Sequence, residues 1–220
     1  FGWGARIGLL YDSEDYENMH IGLVYRSPVN LSFAGSANFD ADPEYRGAMP
    51  PDGTAKFDFI LPAALIIGFA YDWDENLSLE LNAEWMEYSS YEEVDIEWAD
   101  GTHAIGAKDW KDSIALRFGV TYDADIVKLR AGYEFNATPV PLSTIDASLP
   151  GINRNYASVG LGFDLPAEFV LDLAGSYMFT GGRSPSNVDY TPNYKADYEL
   201  NAIIFVCSVG KTFGGSSAEE

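Results

Sequence analysis

Hydrophobic and polar residues alternate along most of the chain, and the clearest example is Ser113–Phe135. Each of its two arms presents one apolar face, formed by Ile114, Leu116, Phe118, Val120 and Tyr122 and then by Val127, Leu129, Ala131, Tyr133 and Phe135. A period of two predicts β-strands, and the polar stretch Asp123–Asp125 predicts a tight hairpin turn between them. One such hairpin also suits a soluble sandwich, but a chain built of little else is typical of a transmembrane β-barrel.

The connections between the predicted strands alternate between short and long. Short polar turns are predicted at 12–18, 72–76, 123–125 and 165–168, and long loops at 40–55, 99–112, 137–155 and 181–196. Outer-membrane barrels sort their connections in this way, with short periplasmic turns and long extracellular loops. The sequence therefore predicts an all-β fold, an antiparallel transmembrane β-barrel of the Gram-negative outer membrane, with about nine strands in this chain. The barrel portion is expected to span residues 1–213, followed by a polar tail at 214–220.

Two irregularities interrupt the alternation. Pro28 lies within the second predicted strand, where its missing N–H predicts an edge, a bulge or a local weakness. Between Glu87 and Glu93 the apolar positions change parity. Because a slip of one residue turns every following side chain to the other face, a bulge or bend is expected there.

The predicted strand number has a consequence for the rest of the barrel. Single-chain bacterial barrels have an even number of strands, and an open sheet edge is not tolerated in lipid. An odd number of further strands is therefore expected upstream. This chain is expected to be the C-terminal portion of a larger barrel, completed by a separate N-terminal fragment or an upstream segment and surrounded by outer-membrane lipid and lipopolysaccharide.

Composition excludes several classes of function. The net charge is -21, from 34 acidic and 13 basic residues, which argues against nucleic acid as a partner. No run approaches the length of a transmembrane helix. His20 and His103 lie far apart, Cys207 is the one cysteine, and no nucleophile motif is present. The sequence therefore predicts neither an enzyme nor a cofactor or metal site.

Charged residues on the predicted inner face are candidates for binding. They include Arg26, Arg117 and Arg130, together with Glu80, Glu84, Glu134 and Asp172. Two interpretations remain open. Opposite charges on neighbouring strands can form a ladder that ties the wall together, or one or two unpaired cations can bind the carboxylate of a ligand.

Several segments resemble one family, the FadL/TodX-type outer-membrane transporters of long-chain fatty acids and aromatic hydrocarbons. The matching segments are Gly2-Trp3-Gly4 with Leu10-Tyr11, Tyr25-Arg26-Ser27-Pro28-Val29, Leu61-Pro62, Trp110-Lys111-Asp112-Ser113, Thr138-Pro139-Val140-Pro141 with Leu149-Pro150 and Arg154, and Gly175-Ser176-Tyr177-Met178. The resemblance implies a barrel of about fourteen strands, of which this chain would hold the last nine. The resemblance also implies that the family's N-terminal hatch, and the kinked strand that forms its lateral exit, would precede the segment given by this sequence.

The resemblance also implies a ligand site. A lysine of the family near the matching aromatic-Lys-Asp motif contacts bound detergent or fatty acid, and Lys111 occupies that motif beside Trp110. Lys108 joins them as a candidate by proximity alone.

These observations predict an outer-membrane passive transporter, a diffusion channel for hydrophobic small molecules such as long-chain fatty acids or aromatic hydrocarbons. One alternative is a structural or adhesive outer-membrane barrel whose acidic loops bind partners. Another is a soluble ligand-binding barrel of lipocalin type, in which the apolar positions would point inward.

Overall fold

The computed structural model describes residues 1–13, 18–145, 150–184 and 196–211. The predicted polar tail at 214–220, and Phe213 before it, lie outside the described residues.

The described residues form strands joined by turns and short helices. The strands are β1 (Arg6–Asp12), β2 (Met19–Arg26), β3 (Val29–Ala37), β4 (Gly53–Leu61), β5 (Ala64–Asp72), β6 (Leu77–Met86), β7 (Glu93–Glu97), β8 (His103–Ala107), β9 (Ser113–Asp123), β10 (Lys128–Asn136), β11 (Arg154–Leu165), β12 (Phe169–Thr180) and β13 (Ala202–Lys211). The helical segments are α1 (Pro43–Arg46) and three 3-10 turns, at Tyr88–Ser90, Leu142–Thr144 and Pro166–Glu168. The part of the chain that the structure describes contains no helix of the length and apolarity needed to cross a bilayer.

Nine strands pair in an antiparallel main sheet, in the order β1-β2-β5-β6-β9-β10-β11-β12-β13. This count and the antiparallel pairing confirm the predicted wall. Within the described residues β1 and β13 each have a neighbour on one side only, so the sheet is not closed on itself. Main-sheet strands are joined alternately by short turns and long connections, as predicted. We call the two ends of the sheet the turn end and the loop end.

The pairing register brings the apolar positions to one face of the main sheet. Leu9 lies opposite Leu23, and Leu23 lies opposite Ile67, while Phe118 lies opposite Tyr133. Large side chains on this apolar face are exposed, and Phe205 is 82% exposed. Because the wall is a single layer, few residues are buried, and an apolar surface of this extent indicates contact with lipid or another apolar partner. The opposite, charged face carries the arginines.

A second antiparallel sheet, in the order β3-β4-β7-β8, continues the wall beyond the loop end. Arg26 pairs with Ala64 in the main sheet, and Val29 pairs with Leu61 in the second sheet, so the register is unchanged across the break. The break falls at Ser27-Pro28 on one strand and Pro62-Ala63 on the other. Proline cannot donate a hydrogen bond to the ladder. The weakness predicted at Pro28 is therefore confirmed as a strand break.

The second predicted irregularity is also confirmed. Met86 pairs with Ser113, but Glu93 pairs with Ala107, so β6–β7 holds one residue more than β8–β9 across the gap. The extra residue lies in the 3-10 segment at Tyr88–Ser90. It reverses the parity of the faces between Glu87 and Glu93.

Two of the predicted long loops are wrong in part. Residues 40–55 contain α1 and the start of β4, and residues 99–112 contain β8. The alternation of Ala55, Phe57, Phe59 and Leu61 extends into β4, whereas β8 has five residues and too short a pattern to stand out. The alternation predicts a last strand from Tyr198 to Phe213, but the strand begins at Ala202. Tyr198 instead makes an isolated bridge to Arg183.

Candidate functional site

An open pocket of about 430 Å³ lies at the loop end, among the connections that follow β6, β10 and β12. We call it the rim pocket. Its lining is mainly apolar or aromatic and comes from five short segments: Tyr88, Trp110, Thr138-Pro139-Val140, Pro150-Gly151-Ile152 and Tyr198-Glu199-Leu200, with Arg154 at one side. Its size and its few polar groups are those of a small-molecule site.

Trp110 is held in place by backbone hydrogen bonds of the segment that carries it and by contacts with two tyrosine rings. Its ring centroid lies 5.6 Å from Tyr88 and 4.8 Å from Tyr91, both in edge-to-face geometry. The preceding residues Lys108 and Asp109 donate backbone hydrogen bonds to the carbonyl of Glu92. Edge-to-face aromatic pairs of this kind stabilise by about 0.5–1.5 kcal/mol beyond the area they bury. The indole is therefore a rigid wall of the pocket.

The loop after β10 forms the opposite wall. Val140 and Ile145 are buried against Trp110 and Tyr198. The Thr144 hydroxyl donates to the Lys108 carbonyl at 2.5 Å, which ties this loop to the segment that carries Trp110.

Arg183 holds the same loop from the other side. Its guanidinium donates to the carbonyl oxygens of Val140, at 2.7 Å, and of Gly151. Burial lowers the pKa of Arg183, since these carbonyls carry no negative charge to offset the loss of water. Gly151 has φ 42°, and a Cβ there would lie 2.6 Å from the Thr138 hydroxyl, so this tight crossing requires glycine.

Two polar atoms next to the rim pocket have no hydrogen-bond partner among the described residues. They are the buried indole nitrogen of Trp110 and the buried hydroxyl of Tyr198. A buried donor without a partner costs about 1–3 kcal/mol. A polar group that reached both would recover part of that cost.

Arg154 lines the rim pocket, and Lys108 and Lys111 belong to the segment that carries Trp110, although the chain is strongly acidic. Lys111 follows Trp110 and donates its backbone N–H to the Pro139 carbonyl at 2.8 Å. Within the described part of the chain, neither Lys111 nor Arg154 has a carboxylate within ion-pair distance. Lys108 lies near Tyr91, whose pKa is raised by burial and partly restored by the lysine's positive charge.

The other predicted site residues lie on the charged face of the main sheet, below the rim. Glu84, whose side chain is 9% exposed, accepts from Arg26 at 2.5 Å and from Arg117 at 2.9 Å. Arg117 also contacts Glu134 at 3.2 Å. These four residues form a charge ladder across β2, β6, β9 and β10, which is the first of the two interpretations left open by the sequence.

Arg130 belongs to a separate pair nearer the turn end, where it contacts Asp172 at 2.6 Å. The structure thus brings Lys108, Trp110 and Lys111 together at the rim and joins Arg26 to Arg117 through Glu84, but leaves Arg130 apart from both groups. A ligand-binding role for these residues stays a prediction. Tyr198, Ile152 and Arg183 were not predicted, because they lie in loops without periodicity. Only the Thr-Pro-Val-Pro and Arg154 motifs pointed to this wall.

Comparison with known proteins gives a consistent picture. A family model described as outer membrane protein transport protein (OMPP1/FadL/TodX) matches residues 1–213. The long-chain fatty acid transport protein of Escherichia coli K12 is 25% identical over 188 residues, covering 81% of this chain and 41% of that protein. A putative outer membrane protein, NMB0088, of Neisseria meningitidis is 22% identical over 198 residues, with 81% and 42% covered.

Solved structures agree on the fold. A Pseudomonas aeruginosa FadL homologue superposes with a TM-score of 0.82 at 22% identity, covering 96% of this chain and 52% of the other. The Pseudomonas putida toluene transporter TodX superposes with a TM-score of 0.61 at 19% identity, with 96% and 50% covered. The chain therefore spans about half the length of the relatives it matches.

Proposed function

This chain belongs to the OMPP1/FadL/TodX family of outer membrane transport proteins, and from that premise we propose that it forms part of a passive route for hydrophobic small molecules across the outer membrane. Long-chain fatty acids and aromatic hydrocarbons are the ligand classes we propose. The route involves binding and diffusion, with no chemical step and no energy coupling. The family's location in the outer membrane supports the membrane interpretation over a soluble lipocalin-type barrel.

In this proposal the main sheet forms part of the wall of the transmembrane barrel. Its apolar face contacts lipid, its charged face lines the lumen, and the loop end with the second sheet faces the cell exterior beside lipopolysaccharide. The free edges of β1 and β13 need partners, because backbone groups left unpaired in lipid cost several kcal/mol each. We propose that strands from another part of the protein, or from a separate N-terminal fragment, pair with both edges.

The observation that carries the proposal is the rim pocket. Its apolar lining, built around the fixed ring of Trp110, can remove a hydrocarbon chain from water, which stabilises the complex by about 25 cal/mol per Å² of apolar area. Lys111 and Arg154 can approach a carboxylate at the pocket margin, with Lys108 behind them. A ligand would then leave the pocket down its own concentration gradient.

The paired arginines have a different role in this scheme. Arg26 and Arg117 share Glu84, and Arg130 is paired with Asp172. We propose that these pairs stiffen the lumen wall, and that a passing ligand meets a polar but largely neutralised surface.

The test is uptake by liposomes that contain the full-length protein. A fluorescent long-chain fatty acid should enter protein-containing liposomes faster than empty ones. Trp110→Ala should weaken fatty-acid binding about tenfold, which corresponds to about 1.4 kcal/mol. Trp98→Ala is the matched control, because Trp98 packs against Phe39 away from the rim pocket.

A second pair of variants tests the lysines. Lys108→Met and Lys111→Met should weaken binding of a fatty acid more than binding of a neutral hydrocarbon. Uptake no faster than in empty liposomes would refute the transport proposal and favour the adhesive alternative. Unchanged affinity in Trp110→Ala would remove the rim pocket from the route.

A further inference from the structure

A second cavity, of about 510 Å³, lies where the two sheets part beside β1. We call it the junction cavity. Residues at both strand breaks, among them Ser27 and Pro62, contribute to its lining. Its lining includes Gly4, Arg6, Arg26, Val29, Leu61 and Met86, and Tyr88 is shared with the rim pocket.

Two arginines face each other on this cavity. The register of β1 and β2 places Arg6 directly opposite Arg26 on the charged face. Like charges directly opposite each other on neighbouring strands destabilise a sheet. A negative charge close to both residues would offset this repulsion.

The described carboxylates supply only part of that charge. Glu84 gives one oxygen to Arg26 and the other to Arg117, so both of its oxygens are engaged. In the described ranges no carboxylate lies within ion-pair distance of Arg6. Near Arg26 the charge ladder therefore ends with one guanidinium in excess, in a chain whose net charge is -21.

Most of the remaining lining of the junction cavity is apolar. Val29, Leu61 and Pro62 come from the two strand breaks, and Met86 comes from the end of β6. The Ser27 hydroxyl accepts from the Ala5 N–H at 2.8 Å and so fixes the start of β1 against the break. A guanidinium pair beside an apolar wall suits a molecule with an anionic head and a hydrocarbon tail, since guanidinium binds carboxylate in bidentate geometry.

We propose that Arg6 and Arg26 form an anion-binding subsite in the junction cavity, which holds the carboxylate of an amphiphile whose tail lies against Val29, Leu61 and Met86. This inference rests on the proposed transport function. It adds a second binding site to the proposed route, on the lumen side of the rim pocket. It also gives the route a preference for anionic amphiphiles over neutral hydrocarbons of the same length.

The experiment compares laurate with 1-dodecanol, which share a chain length but not a charge. Their affinities for the full-length protein in neutral detergent are measured by calorimetry. Arg6→Gln should weaken laurate binding about tenfold and leave dodecanol within twofold. Arg6→Lys should recover part of the loss, and Lys56→Gln is the control, since Lys56 lies on β4 and pairs with Glu97.

The outcomes separate this inference from the transport proposal. Unchanged laurate affinity in Arg6→Gln overturns the subsite, and it does so even if the variant is less stable. A less stable variant with unchanged affinity would mean that Arg6 pairs with an acid elsewhere in the full-length protein. Equal losses for laurate and dodecanol also overturn it. Arg6-dependent laurate binding without uptake into liposomes would uphold the subsite and refute transport alone.

Discussion

Glu84 is the position where the charge ladder can be tested most sharply. Among the described residues it is the one acid that contacts both Arg26 and Arg117, and its side chain is 9% exposed. Glu84→Gln keeps the shape but removes the charge. A hydrogen bond to a charged group contributes about 1.5–3 kcal/mol and a neutral one about 0.5–1.5, so two weakened bonds cost about 2–3 kcal/mol.

The exposure of Arg26 lowers this figure. Its side chain is 47% exposed, and screening by water reduces what an ion pair contributes. We therefore expect a loss of about 2 kcal/mol, or a fall of about 1 M in the urea midpoint of the full-length protein in detergent. Tryptophan fluorescence at several urea concentrations gives that midpoint.

Glu80→Gln is the matched control. Glu80 lies four residues away on β6, on the same face, and has no ion pair among the described residues. Its free energy of unfolding should change by less than about 0.5 kcal/mol. If Glu84→Gln moves the midpoint no further than Glu80→Gln does, the ladder does not stabilise the wall.

Three further predictions concern the loop end. Arg183→Met should destabilise the protein by about 1–3 kcal/mol and speed proteolysis within 137–153, because the carbonyls of Val140 and Gly151 lose their donor. Arg154→Met, which removes a guanidinium without such contacts among the described residues, should not. Gly151→Ala should cost more than about 1 kcal/mol by thermal melting, since φ 42° and the nearby Thr138 oppose a Cβ, whereas Gly181→Ala, with open space around it, should cost little. Hydrogen bonds from Ser89 and the Trp85 indole lower the pKa of Asp112, against an opposing effect of burial, below its ordinary value of 3.8. This carboxylate therefore stabilises the fold above its unfolded pKa, and the stabilisation is lost as the pH falls through the lower folded value. Melting temperatures should fall less between pH 7 and pH 3 in Asp112→Asn than in the wild-type protein.

The wall of the fold was predictable because its signal is local. In Ser113–Phe135 alternation defined both strands and the turn, and β9 and β10 pair as predicted. The extra residue between Glu87 and Glu93 was visible as a change of parity. β8 was missed, because five residues hold too little pattern to separate a strand from a loop.

The contacts of the candidate sites were not predictable in the same way. Arg26 and Glu84 lie 58 residues apart in the chain. They meet because β5 pairs with both β2 and β6, which brings these two strands within side-chain reach of each other. Tyr198 reaches the rim pocket from a loop that carries no periodicity. Trp110 was identified through a motif, but its contacts with Tyr88 and Tyr91 depend on the 3-10 turn.

The positions of cations without a described acidic partner connect the two cavities. Arg6 lines the junction cavity, Arg154 lines the rim pocket, and Lys111 follows Trp110 of that pocket. Arg26, which also lines the junction cavity, contacts Glu84, and Arg117 contacts both Glu84 and Glu134. The chain holds 34 acidic residues, yet Arg6, Arg154 and Lys111 have no acidic partner among the residues that the structure describes. A ligand that supplies the negative charge itself would neutralise them. A neutral hydrocarbon would gain only from the apolar walls. The ratio of the affinity for an anionic ligand to the affinity for a neutral one therefore measures how much these cations contribute to ligand selection.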